Sequence, residues 1–197
     1  MRTSDCDTNP MENSYKFGTP DPEDRQFSYP NVWATENTSD GGSRLIVAPE
    51  TDQVECLIRL LDTMSGPFWL LYVLVVNRGD SELGRYQSPQ PQTREDAKAF
   101  LKDFQSFLEK DGRHNLWIAS ASSSEMLIYD RHNVIYAYGS LSEWKPMLSE
   151  MQYGEVPLIR FPSPHSHHYH QSMDDEERRM VRYWDWNRTP LMPCDEE

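Results

Sequence analysis

The chain has 197 residues, a formal net charge of −13, 37% hydrophobic and 12% aromatic residues, and three cysteines. That length suits one domain with a core of its own, and the acidic balance argues against binding a nucleic-acid phosphate backbone. With no run of about 18 apolar residues and no apolar leader segment, neither a membrane span nor a secretory signal is expected, and a cytoplasmic protein is the default.

Residues 1–43 are rich in Pro, Asp, Asn, Ser, Thr and Gly and hold no helical or strand period, which predicts an extended or disordered N-terminal arm. Yet Tyr15, Phe17, Phe27, Tyr29 and Trp33 are more rings than a solvated tail carries, so the alternative is an arm that lies across the body. A single α+β domain is expected over residues 44–187, followed by an acidic tail over 188–197.

Residues 44–47 suit a short strand. Val54, Leu57, Ile58, Leu61 and Met64 then recur at spacings of three and four, which predicts a helix over 51–64 with Thr51 as N-cap and Gly66-Pro67 as its stop. The run over 68–76 is apolar on both faces and reads as a central strand; residues 84–88 return antiparallel to it. A long helix is expected over 94–110, opened by Thr93 with Asp96 three residues on, and closed by Gly112 as a left-handed terminal residue.

Residues 116–139 are the densest strand-forming stretch and predict a three-stranded meander. A two-residue turn at His132-Asn133 sets Tyr129 opposite Tyr136 and Asp130 opposite Ile135. Beyond it are a short helix over 142–151 that must accommodate Pro146, an edge strand over 155–161, and a last helix over 172–186 with an acidic first turn and arginines behind it. The order predicts an α+β fold: a mainly antiparallel sheet of about five or six strands, with helices packed on one face.

Four of the six histidines fall in the segment from His165 to His170. On an extended backbone His165 and His167 project to one side, His168 and His170 to the other. Two imidazoles at this spacing can chelate a divalent metal such as Zn²⁺, which makes His165 and His167 the candidate metal ligands. The third ligand has to come from elsewhere: His132, His114, Asp130 or a glutamate. The simpler reading of the segment is a proline-bounded loop whose rings stack locally.

Asp130 can orient His132 as an acid–base pair, although neighbours on a hairpin tip need not touch. His114 reads as a loop or cap residue. Cys6, Cys56 and Cys194 form no metal spacing and no disulfide framework, and Cys56 reads as a core residue. The G-x-S-x-G, P-loop and G-x-G-x-x-G patterns are absent. Tyr183, Trp184 and Trp186 end the last helix, and Trp186 is the one least explained by docking, hence a candidate partner-binding residue.

Two functions follow as expectations. One is a non-enzymatic protein-binding module for a basic partner; in architecture and charge alone the chain is similar to bacterial toxin-immunity proteins. The other is a metal-dependent hydrolase built on the His165 to His170 cluster, with a divalent metal as cofactor.

Overall fold

The computed structural model describes residues 14–20 and 26–195. Cys6 and much of the expected arm lie outside the described residues. Within them the chain runs β1 (Phe17–Gly18), β2 (Val32–Asn37), β3 (Ser43–Ala48), α1 (Gln53–Leu61), β4 (Phe68–Leu74), β5 (Gly84–Gln87), α2 (Arg94–Asp103) and α3 (Gln105–Lys110). It continues through β6 (His114–Ser120), β7 (Met126–Tyr129), β8 (Ile135–Tyr138), α4 (Leu141–Glu150), β9 (Gly154–Glu155), β10 (Ser166–His167), α5 (Asp174–Met180) and β11 (Asn187–Thr189). Among the described residues no helix is long and apolar enough to cross a membrane.

The fold is α+β, with a mixed nine-stranded sheet in the order β11-β5-β4-β6-β7-β8-β3-β2-β9 and a separate two-stranded ladder, β1-β10. Among the described residues its one parallel pairing is β2 with β9. The sheet exceeds the expected five or six strands because its edges come from polar sequence. Val32–Asn37, inside the stretch expected as an arm, pairs along its whole length with Ser43–Ala48. The edge strand expected over 155–161 is reduced to Gly154–Glu155.

Alternation places Leu70, Tyr72, Leu116, Ile118, Leu127, Tyr129, Ile135 and Ala137 in one buried cluster, shared with residues from all five helices, such as Leu57, Phe100, Phe107, Trp144 and Met180. A smaller cluster of Phe17, Tyr29, Ala34, Ile46, Ala48, Val134 and Ile159 holds rings of the N-terminal segment. Cys56 is buried in α1, and burial pushes its thiol up to about 12.

Several local expectations change once packing acts. The helix over 94–110 divides at Phe104, whose φ of −111° leaves helical geometry. Its start is as expected: Thr93 Oγ1 accepts from Asp96 N at 3.1 Å. At the start of α1 the N-cap position is Asp52, with φ 53°, rather than Thr51. The helix expected over 172–186 stops at Met180, whose carbonyl accepts from Tyr183 N at 3.2 Å and from Trp186 Nε1 at 2.9 Å. Pro146 lies inside α4, which Trp144 and Leu148 bury against the core.

Three interactions place the segments that carry the histidines. Gly112 is needed for close approach rather than for left-handed backbone: a Cβ there would lie 2.6 Å from the Lys16 carbonyl oxygen. Gly112 N donates to His168 O and His168 N to Lys16 O, both at 2.9 Å, so the β1-β10 ladder lies directly over this glycine. Lys16 is itself buried; its Nζ donates to Leu108 O at 3.0 Å and sits 3.8 Å from the centre of the Tyr129 ring. Burial without a close carboxylate pushes the Lys16 ammonium down to about 7.

Arg113, at 0% exposure, fixes the chain beyond the histidines. Its Nε and Nη2 donate to Asp111 at 2.7 and 2.9 Å, and its Nη1 donates to Glu177 at 2.6 Å and Asp174 at 3.0 Å. Nη2 also donates to His170 O at 2.9 Å, and Asp111 accepts from His170 N at 2.9 Å. One guanidinium thus ties the entry to β6, the end of the histidine segment and the start of α5.

Candidate functional site

The β7-β8 hairpin closes one residue out of the expected register: Tyr129 faces Ile135, and Ile128 faces Tyr136. The cause is a longer loop. Asp130 N donates to Val134 O at 3.1 Å, leaving three residues at the tip, the last of which, Asn133, is left-handed with φ 59°. Asp130 Oδ1 caps this turn, accepting from His132 N at 2.8 Å and Val134 N at 3.2 Å. Asp130 Oδ2 lies 2.9 Å from His132 Nδ1. The same carboxylate therefore shapes the turn and orients the ring, so these two neighbours on the tip do touch.

The partners of His132 arrive from β10 and the residues before it. His165 and His167 face the hairpin tip, while His168 packs on Tyr15 with ring centres 4.4 Å apart and His170 Nε2 contacts Tyr15 O at 2.9 Å. One nitrogen from each of His132, His165 and His167 lies within 4.8 Å of the others. The ring centres are 5.0 Å apart for His132 and His165, 4.8 Å for His132 and His167, and 5.5 Å for His165 and His167. Buried Phe17 of β1 backs all three rings at 5.6 to 6.3 Å.

The hydrogen bonds assign the tautomers. His132 Nδ1 faces a carboxylate, and His165 Nδ1 faces Pro162 O at 2.9 Å. Both oxygens only accept, so each ring has a proton on Nδ1, and in its neutral form it presents a bare Nε2 lone pair. Those two Nε2 atoms face one another at 3.2 Å. Neutral rings in that arrangement repel, and a cation between them removes the repulsion. Two imidazole nitrogens on a tetrahedral zinc, each about 2.0–2.1 Å from the ion, are about 3.3 Å apart.

His167 is the third member of the cluster, and its Nδ1 is buried with no hydrogen-bond partner among the described residues. Burial pushes the His167 imidazole down to about 3, with Arg131, His132 and His165 acting the same way and Asp130 opposing them. A ring held neutral is the form that ligates a metal. His165 is exposed, so water reaches the site.

Of the other sequence candidates, His114 is buried between the rings of Tyr72 and Phe107, at 5.4 and 4.7 Å, and is a core residue of β6 rather than a loop or cap residue. Trp186 packs on Phe100 and Trp184 at 5.8 and 4.9 Å, which together with its bond to Met180 accounts for its position. Cys194 is exposed.

A cleft of about 470 Å³ opens beside the histidines, on the sheet face turned away from the helices. Trp117, Ile128 and Tyr136 form its floor, His132, Arg131 and Phe161 stand at one end, and Cys194 and Asp195 of the C-terminal segment line it as well. Trp117 faces Ile128, and Ile128 faces Tyr136, in one cross-strand row. Sequence reasoning names none of these as site residues; the signal available was the half-apolar alternation of β6, β7 and β8, whose second face needs a cover or a ligand. No family model matches the chain, and no curated protein or solved structure matches it either, so the reading of the site stands on its own geometry.

Proposed function

We propose that His132, His165 and His167 form a divalent-metal centre, with zinc the best-suited ion, and that the protein is a metal-dependent hydrolase. The observation that carries this reading is the pair of Nε2 lone pairs facing at 3.2 Å, each left bare by a hydrogen bond on the opposite side of its ring. Asp130 completes the pattern of a metal-ligating histidine held by a carboxylate behind it.

Three protein ligands leave a fourth tetrahedral position open, as in catalytic rather than structural zinc sites. A zinc ion held by His132, His165 and His167 would lower the pKa of a bound water to about 7 and so supply a nucleophile at neutral pH. The chain's own contribution is to keep His167 neutral, to hold His132 in the ligating tautomer through Asp130, and to set His132 in the wall of a cleft.

Elemental analysis of the untagged protein tests the reading, alongside His132→Ala and the double variant His165→Ala/His167→Ala. One zinc per chain, lost in both variants, is the expected result. Absence of metal, with a melting temperature indifferent to added zinc or chelator, would leave a proton shared between the two Nε2 atoms and retire the hydrolase. The reading left in that case is the non-enzymatic module for a basic partner, supported by the net charge of −13.

A further inference from the structure

The cleft beside the histidines has a charge pattern unlike that of the chain as a whole. Arg44 is already committed: Nη2 lies 2.6 Å from Glu36, and Nη1 donates to Tyr138 Oη at 2.5 Å. Asp130 is held by His132 and the turn amides. Asp195, almost fully buried, accepts from Met192 N at 2.6 Å and faces Arg85 at 3.8 Å. That leaves Arg131. Its backbone N donates to Asn115 Oδ1 at 3.0 Å, but its guanidinium makes no ion pair or hydrogen bond among the described residues. In a protein of charge −13, the cleft therefore keeps one uncommitted cation, beside His132, the member of the three-imidazole cluster that lines it.

The rest of the cleft selects for flat, apolar surface. Trp117, Ile128 and Tyr136 lie side by side on the floor, and Phe161 stands against His132 with ring centres 5.0 Å apart. Arg44 lies over the Tyr136 ring at 4.4 Å, so the stacking face on offer is that of Trp117, whose ring centre is 5.6 Å from Arg85; an aromatic face of this kind holds a planar ring by stacking.

We infer that the cleft binds a phosphate ester bearing a planar ring, with the ring on the Trp117 floor and the phosphoryl group between Arg131 and the three-histidine centre. This rests on the metal reading and names the substrate class for the same site. A phosphoryl group has three terminal oxygens and can engage two separated cations at once. A carboxylate has two and is matched by one guanidinium alone. The reaction is hydrolysis without redox change. A water oxygen forms a new bond to phosphorus, the ester P–O bond breaks, the leaving alkoxide takes up the proton released by that water, and the products are the alcohol and inorganic phosphate.

The test uses the full chain loaded with zinc, its zinc content measured first, and phenylphosphonate as a non-hydrolysable probe in isothermal titration. Wild type is expected to bind it more tightly than benzoate. Arg131→Ala is expected to bind it at least about tenfold more weakly, the effect of losing a hydrogen bond to a charged group, with Arg131→Lys recovering part of the loss. Trp117→Ala is expected to weaken it severalfold. All three variants should keep wild-type zinc content, and 4-nitrophenyl phosphate hydrolysis should fall in the same order. Zinc-loaded wild type that ignores phenylphosphonate, or binds it equally well after Arg131→Ala, overturns the substrate class and leaves the metal centre standing. Failure to take up zinc overturns both.

Discussion

Arg113 and His132 lie 19 residues apart, flanking the β6-β7 hairpin at its open end, and complete their polar contacts in opposite ways. The Arg113 guanidinium is buried, and each of its three nitrogens has an acceptor within 3.0 Å, drawn from Asp111, Asp174, Glu177 and the His170 carbonyl. With neutral rings, the histidine cluster supplies lone pairs that meet no donor among the described residues and face one another at 3.2 Å between His132 and His165. A network complete in its own atoms is there to hold segments together. One that orients three acceptors and brings no donor is shaped for something from outside. Lys16 stands between the two: a buried cation with one carbonyl and a ring face, and no ion pair among the described residues.

Substitutions can break this comparison or sharpen it. The largest effect belongs to Arg113→Met, which strands Asp111 and Glu177 as buried charges and should cost about 3–5 kcal/mol in urea unfolding. A loss below about 1 kcal/mol would rank the network with exposed ion pairs and remove one side of the contrast.

Next comes the response to zinc. At a free concentration a hundredfold above its dissociation constant, zinc should stabilise wild type by about 2.7 kcal/mol. His132→Ala should abolish that gain while leaving metal-free stability within about 1 kcal/mol of wild type, as expected of a side chain outside both buried clusters that keeps 19% exposure. A metal-free loss larger than the zinc-dependent one would make the cluster a packing feature like Arg113.

Asp130→Asn is a finer probe. Its Oδ1 still accepts from His132 N and Val134 N, so the turn survives. Its Nδ2 instead offers a proton to His132 Nδ1, which drives the ring to the tautomer whose Nε2 carries hydrogen. Zinc affinity measured by chelator competition should fall about 10–100-fold. An unchanged affinity would show that the carboxylate shapes only the turn.

The smallest effect per step is the pH dependence set by Lys16. Its folded-state pKa is lowered from 10.5 to about 7, so between those values the unfolded chain binds a proton that the folded protein does not. Stability contributed by Lys16 therefore rises with pH across that window, by up to about 1.4 kcal/mol per pH unit, and is flat and least favourable below it. In Lys16→Met this slope should vanish from urea midpoints measured between pH 7 and pH 10. An identical slope in the variant would mean that the ammonium keeps its charge on the Tyr129 face.

Much of the architecture was legible along the chain. The three-and-four stripe of α1, the Thr93 cap of α2, the doubly apolar β4 and the meander are local patterns that burial reinforces. The alternation that sends His165 and His167 one way and His168 and His170 the other is equally local, since successive side chains of an extended backbone point to opposite sides. The strands at the sheet edges were not legible, because Val32–Asn37 and Asn187–Thr189 owe their conformation to a neighbouring strand rather than to their own residues. Nor was the hairpin register, which turns on a left-handed Asn133 and on one carboxylate capping two amides.

The amino-acid order by itself determined the helices, the central strands and the two histidines that share a side. Tertiary structure alone decided the third. His132 lies 33 residues from His165 in sequence, and the two meet because Gly112 lets the β1-β10 ladder approach, Arg113 pins His170, and the Asp130 turn aims the ring. A proposed site of this kind is a property of converging loops. Sequence spacing records only ligands carried on one element, whereas convergence depends on packing between elements that no local pattern encodes.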